Sequence, residues 1–144
     1  MTTWIVVAES SRARIYEWDG KRSSPLRELA DLVRPQARLH EREITSDLPG
    51  RNAGADDVSH HALADSTPAD EQEAIRFAKE VVEHLERGRN SGAFERLFIS
   101  AAPAFLGHLR KAMSEPLQAR VERELDKNLV QLQGEEIKAY FMAY

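Results

Sequence analysis

The chain has 144 residues, of which 42% are hydrophobic, and this is enough for one domain whose core is stable without a disulfide or a structural metal. It contains no cysteine, which excludes a disulfide framework and a thiolate metal site and fits a reducing compartment. Its formal net charge of -4 argues against a wholly basic nucleic-acid binder. No apolar run approaches the roughly 20 residues that cross a bilayer, and no signal-peptide pattern precedes the first strand. We therefore expect a cytoplasmic protein with no membrane or DNA partner.

The N-terminal part of the sequence predicts three strands. Thr3–Ala8 is apolar on both faces, which is typical of a strand covered on both sides. Arg12–Trp18 carries bulky side chains on both faces, and the following Asp19-Gly20 is a strong hairpin signal. A third strand is predicted from Leu26 to Val33, and Pro35 ends it.

The middle of the chain predicts a long connection followed by a helix. Residues 36–67 have little hydrophobic periodicity, with one helical turn expected near residues 37–42. Connections of this length in compact domains are usually functional or disordered, so we predict a mobile loop at about 46–66. Thr67 and Pro68 then supply N-cap and first-turn signals for a helix that carries an apolar stripe. We expect this helix to end near Gly88.

The sequence from Phe94 to Lys111 predicts a buried strand that runs through a proline into a helix. Leu97–Ile99 is the apolar part of the strand, and Pro103 ends it because proline cannot donate to a ladder. Gly107 lies inside the helix, where glycine costs about 1 kcal/mol relative to alanine, so we expect a close approach of another backbone or a partner there. The carboxyl end of a strand is where α/β sheets usually bind ligands. A simple strand-to-helix turn is an equally good interpretation of this segment.

Several blocks of the sequence resemble the bacterial host attachment protein family. This family is grouped with bacterial and archaeal release-factor-like proteins, which are similar to the central domain of class I peptide release factors and Pelota. The resemblance extends from Trp4 to about Tyr140. The blocks that carry it are Trp4–Ala8, Ser11–Tyr16, Ser46–Arg51 and Phe94–Lys111.

The C-terminal part has one ambiguous segment. Residues 114–116 predict a short helix that continues to about Arg120. Val121, Leu125 and Leu129 are spaced for a helix, whereas the resemblance implies an edge strand within residues 121–130 and a small helix near residues 135–142. We predict the strand.

The order of the predicted elements implies an antiparallel meander continued by parallel crossover strands. Together with the resemblance, it predicts a single three-layer α/β domain over residues 1–144. The sheet is expected to be mixed and five-stranded, of the ribonuclease-H-like type on which release-factor central domains are built. A metal-dependent nuclease of that type needs a carboxylate on the first strand. Residues 4–8 contain none, and Glu9 could supply at most one ligand.

The resemblance also implies the position of a functional loop. In release factors the central domain carries a Gly-Gly-Gln loop, and the corresponding residues 47–66 contain no Gly-Gly-Gln. The adjacent His60 and His61 are types that could bind zinc or nickel, but no third histidine lies close, so we favour a solvated pair. Nucleophile and nucleotide-binding motifs are missing. We therefore predict no catalytic residue, no metal and no cofactor.

Two functions remain open at this stage. The first is a non-enzymatic factor that binds the ribosome or structured RNA, with a translation-associated stress or rescue role, and the missing motifs favour it. The second is a small hydrolase that acts on RNA or an ester through residues 47–66. Surface arginines paired with acidic residues are the simpler interpretation of the basic side chains. The oligomeric state is not predicted. The candidate RNA- or partner-binding residues are Asp47, Arg51, His60, His61, Pro103, Gly107, Arg110 and Lys111.

Overall fold

The computed structural model describes residues 1–34 and 68–143. Within them, strands and helices follow one another in the predicted order. The strands are β1 (Thr3–Glu9), β2 (Arg12–Trp18), β3 (Arg27–Val33), β4 (Arg96–Ala101) and β5 (Val121–Leu125). The helices are α1 (Pro68–Asn90), α2 (Pro103–Ala112), α3 (Glu115–Gln118) and α4 (Gly134–Ala143). The predicted turn near residues 37–42 and the predicted loop at 46–66 lie outside the described residues.

The five strands form one mixed sheet in the order β3-β2-β1-β4-β5. β1 pairs antiparallel with β2, and β2 pairs antiparallel with β3, which is the predicted meander. β1 pairs parallel with β4, and β4 pairs parallel with β5, as expected of crossover connections. The predicted fold class is confirmed. The carboxyl ends of β1, β4 and β5 lie at the same edge of the sheet.

Helices cover both faces of the sheet because β1 is apolar on both sides. Val6 and Ala8 face one layer, which contains α1, α2 and α3, whereas Ile5 and Val7 face α4. All four of these side chains are fully buried. The helical residues that close the first face include Phe77, Val81, Leu85, Phe105, Leu109 and Leu117. Ile137 and Phe141 of α4 close the second face.

Helix α1 continues past its predicted end near Gly88 and ends at Asn90, so Gly88 lies buried inside the helix. A Cβ at this position would lie 2.5 Å from Cη2 and 2.7 Å from Cζ3 of Trp4. The Trp4 ring in turn packs on Phe94, with ring centroids 4.8 Å apart. The chain leaves the helix at Gly92, whose φ of 75° favours glycine. The glycine at position 88 therefore makes room for Trp4, and the glycine at position 92 terminates the helix.

Candidate functional site

The predicted strand-to-helix turn lies at the shared carboxyl edge of β1 and β4. The backbone N–H of Ala102 donates to the carbonyl of Ala8 at 3.3 Å, which holds the two strand ends together. Pro103 is exposed and begins α2, a position where its missing N–H costs nothing. No side chain caps this helix start. The turn has the geometry that the sequence predicted.

The predicted close approach of another backbone to Gly107 is not found among the described residues. A Cβ at this position would have no atom of residues 1–34 or 68–143 within 4 Å. The alternative, a close approach by a partner, stays a prediction.

Arg110 and Lys111 point to different sides of α2. Successive helical residues are rotated by about 100°, so neighbours in the sequence do not share a face. Arg110 turns toward β5, where its Nε donates to Glu124 Oε1 at 3.1 Å, and this carboxylate raises the pKa of the guanidinium. Lys111 instead lines, together with Lys79, two cavities between α1 and α2. The structure therefore does not bring the predicted basic pair together at one site.

Most arginines with a described environment are paired with carboxylates, as the simpler interpretation predicted. These pairs join neighbouring strands, successive helical turns, or a helix to the sheet. They are Arg12–Asp31, Arg14–Glu28, Arg27–Glu17, Arg76–Glu73, Arg89–Glu86, Arg96–Glu122 and Arg110–Glu124. Side chains engaged in this way are less available to an external anion.

A groove between α1 and α2 is lined by cationic side chains that have no carboxylate partner among the described residues. We call it the basic groove, and its rims carry Lys79 and Arg87 of α1 and Lys111 of α2. Its cavity volume is about 630 Å³, and Lys79 and Lys111 also border an adjoining cleft of about 210 Å³. The floor includes Val82 and Ala112. Across residues 1–34 and 68–143, none of the three cationic side chains has an ion pair or a hydrogen bond.

The acidic residues of the basic groove differ in their availability. Glu86 accepts from the backbone N–H of Ser114 at 3.1 Å and from Nε of Arg89 at 3.2 Å. Burial, the largest single effect, raises the pKa of Glu86, but the hydrogen bonds from Ser114 and Arg89 together outweigh it and lower the pKa. Its charge is therefore already compensated. Glu83 is exposed and forms no ion pair with the described residues.

Four of the candidate residues, Asp47, Arg51, His60 and His61, lie outside the described residues. In the part of the chain that the structure does describe, no group of three or more histidine, cysteine, aspartate or glutamate side chains could hold a metal ion. No helix within residues 68–143 is both long enough and apolar enough to cross a membrane.

Sequence reasoning identified Lys111 but not Lys79 or Arg87. A signal for the α1 residues was present, because positions 79, 83 and 87 are spaced by four and form one polar line on the predicted helix. The missing information was the packing of α1 on α2, which places Lys79 and Lys111 in the lining of one groove.

A family model described as a protein required for attachment to host cells matches residues 4–141. The chain belongs to this family. The host attachment resemblance seen in the sequence is therefore confirmed. Among solved structures, the chain is similar to the crystal structure of an archaeal translation termination factor, aRF1, with a TM-score of 0.50 and 14% identity. That similarity covers 99% of this chain and 41% of the termination factor, and at this identity it shows a shared fold. No curated protein shows significant sequence similarity to the chain.

Proposed function

We propose that this member of the host attachment family is a non-enzymatic cytoplasmic factor that binds the ribosome or structured RNA. The observation that carries the proposal is the basic groove, where Lys79, Arg87 and Lys111 have no partner among the described residues, whereas most of the described arginines are paired. Unpaired cations on one surface are the usual footprint of phosphate binding. Because the net charge is -4, the rest of the surface repels polyanions, and a polyanion that binds is therefore directed to the basic groove.

The shared fold with a translation termination factor supports the choice of partner. Fold alone does not carry function, so this support is an analogy that raises the prior for a ribosomal or RNA partner. Under this proposal the attachment to host cells in the family's description is an indirect consequence of a translation-associated role.

The predicted loop residues belong to the same proposal. Arg51 corresponds by the resemblance to the loop that release factors insert into their ribosomal site, and Asp47, His60 and His61 lie in the same segment. We propose that this segment contacts the partner together with the helical layer. The hydrolase alternative depends on the same loop residues, and no described side chain favours it.

Sedimentation of the purified full-length protein with ribosomes tests the proposed function. We expect association that weakens steeply between about 50 and 200 mM salt, because phosphate contacts release counterions. Arg51→Ala and Lys111→Ala should each reduce the bound fraction. Arg110→Ala is the matched comparison and should reduce it less, since Glu124 already neutralises that side chain.

Two results would overturn the proposal. Absence of the protein from the ribosomal fraction at both salt concentrations would favour a protein partner. Association that does not change with salt would remove phosphate contacts as its basis.

A further inference from the structure

We infer that the basic groove binds the phosphate backbone of base-paired RNA. The groove would recognise the charge and shape of the RNA and not its sequence. The inference rests on the proposed function and assigns to it a surface and a ligand class. Its cationic residues are Lys79, Arg87 and Lys111, with Glu83 as an opposing charge.

The positions of the cations fit an extended anion. Lys79 and Arg87 are eight residues apart on α1, which corresponds to about 12 Å along the helix axis. Lys111 of α2 lines the same two cavities as Lys79, whereas Arg87 lines only the larger one, so two cations share one end of the groove and a third lies further along it. An isolated small anion would engage only one end. A nucleic-acid backbone presents repeated phosphates along its length and can engage all three cations.

The lining of the groove favours paired over single-stranded RNA. Proteins that bind single strands combine a cationic groove with aromatic side chains on which bases stack. The described lining of the basic groove is aliphatic and polar, with Val82 and Ala112 on its floor and Asn90 at one end. Base-paired RNA keeps its bases stacked inside the helix and presents phosphates and 2′-hydroxyl groups. Lysine, arginine and asparagine side chains match those groups.

Glu83 gives the inference a distinctive consequence. It lies between Lys79 and Arg87 in the line of residues spaced by four, it is exposed, and it forms no ion pair in the described part of the chain. A phosphate in the groove would be repelled by this carboxylate. Removing the charge should therefore strengthen binding, a direction that general loss of structure would not produce.

Fluorescence anisotropy with a labelled 20-base-pair RNA duplex tests the inference on the full-length protein. The double variant Lys79→Gln/Lys111→Gln should lower the slope of log K against log salt by about 2, one for each lost contact. Between about 50 and 200 mM salt the affinity of the variant should therefore decrease roughly tenfold less than that of the wild type, because each phosphate contact accounts for about threefold over that range. Glu83→Gln should bind more tightly than the wild type, because a carboxylate that repels phosphate has been removed. A uridine single strand of equal length should bind more weakly than the duplex.

Lys127→Gln is the matched control, because Lys127 is an exposed lysine whose neighbour Ser100 contacts only its backbone carbonyl. This variant should bind like the wild type, and thermal unfolding should show that all the variants are folded. Duplex binding that is unchanged in the double variant and in Glu83→Gln would overturn the groove assignment. If ribosome association persists in that case, the proposed function stands without this surface. Tighter binding of the single strand would overturn the assignment to base-paired RNA.

Discussion

Gly88 and Gly107 are both helical glycines, yet the space around them is opposite. At Gly88 the ring of Trp4 lies where a Cβ would be, whereas at Gly107 no atom of the described residues lies within 4 Å of that position. Glycine in a helix interior costs about 1 kcal/mol relative to alanine. At position 88 close packing offsets that cost, and at position 107 no described neighbour does.

Alanine at these two positions should therefore change stability in opposite directions. Gly88→Ala should lower the free energy of unfolding by about 1–3 kcal/mol, because Trp4 is held against Phe94 and cannot withdraw freely. Gly107→Ala should raise it by up to about 1 kcal/mol through helix propensity. Urea unfolding of both variants measures the two changes. A loss of stability at Gly107 would mean that this position has a steric role that the structure does not show.

The sequence could not distinguish these glycines. Gly88 follows the apolar stripe of α1 and Gly107 lies within that of α2, but local patterns indicate only the helix and not what packs on it. Trp4 reaches Gly88 only because β1 lies at the centre of the sheet under α1, which is a long-range fact. A close approach does occur at a helical glycine, but it occurs at Gly88 and is made by the side chain of Trp4, not by another backbone.

Helix α4 is attached to the rest of the protein by polar as well as apolar contacts. Lys138 is only 8% exposed, and its Nζ donates to the carbonyls of Arg22 at 3.0 Å and Ser24 at 2.6 Å in the β2–β3 connection. Arg14 acts in a similar way on the segment before α4, where Nη1 donates to the carbonyls of Val130 and Leu132 at 2.9 and 2.8 Å. Both cations thus stabilise loops that flank α4.

Lys138→Met should loosen α4 without opening a cavity, because methionine keeps much of the aliphatic stem. Two carbonyls lose their donor, which we expect to cost about 1–3 kcal/mol of unfolding free energy. Amide hydrogen exchange should speed up in residues 134–143 and in the β2–β3 connection. Lys21→Met, at an exposed lysine of the same connection, is the control. Equal exchange in the two variants would show that the Lys138 hydrogen bonds do not hold α4.

The sequence predicted secondary-structure elements correctly where their hydrophobic patterns depend only on neighbouring residues. The limits of β2 are those predicted, and the choice of a strand over residues 121–125 is confirmed. The site was harder to predict, since a groove between two helices depends on their packing. Adjacent Arg110 and Lys111 appeared to form one basic pair, but the helical rotation and the position of Glu124 separate them.

The whole molecule should lose stability in acid because ion pairs keep carboxylates charged in the folded state. Arg12, through a side-chain hydrogen bond, lowers the pKa of Asp31 below its ordinary value of 3.8. A carboxylate whose pKa is lower in the folded state binds protons more readily in the unfolded state. Its contribution to the free energy of unfolding is therefore fully present at pH values above the unfolded-state pKa. That contribution is lost as the pH falls through the folded-state pKa.

Asp31→Asn should therefore flatten the decrease in melting temperature between about pH 5 and pH 2. The effect should be small and should shrink in high salt, since the pair is partly exposed at the edge of the sheet. Asp126→Asn, at an exposed carboxylate with no ion pair to the described residues, is the control. If the melting temperature of Asp31→Asn decreased in acid as steeply as that of the wild type, the Arg12–Asp31 pair would be excluded as a source of the pH dependence.

The central position of β1 has a consequence for how the protein is synthesised. β1, β2 and β3 are made first, but the second neighbour of β1 is β4, which begins only at Arg96. Until β4 is available, the nascent meander presents one open edge of β1, next to the side chains of Ile5, Val6 and Val7 that end up fully buried. Open apolar strand edges are the usual starting points of aggregation, and pairing over such a sequence separation is slow. We therefore expect newly made chains to be most prone to aggregation through their first strand until β4 pairs with it.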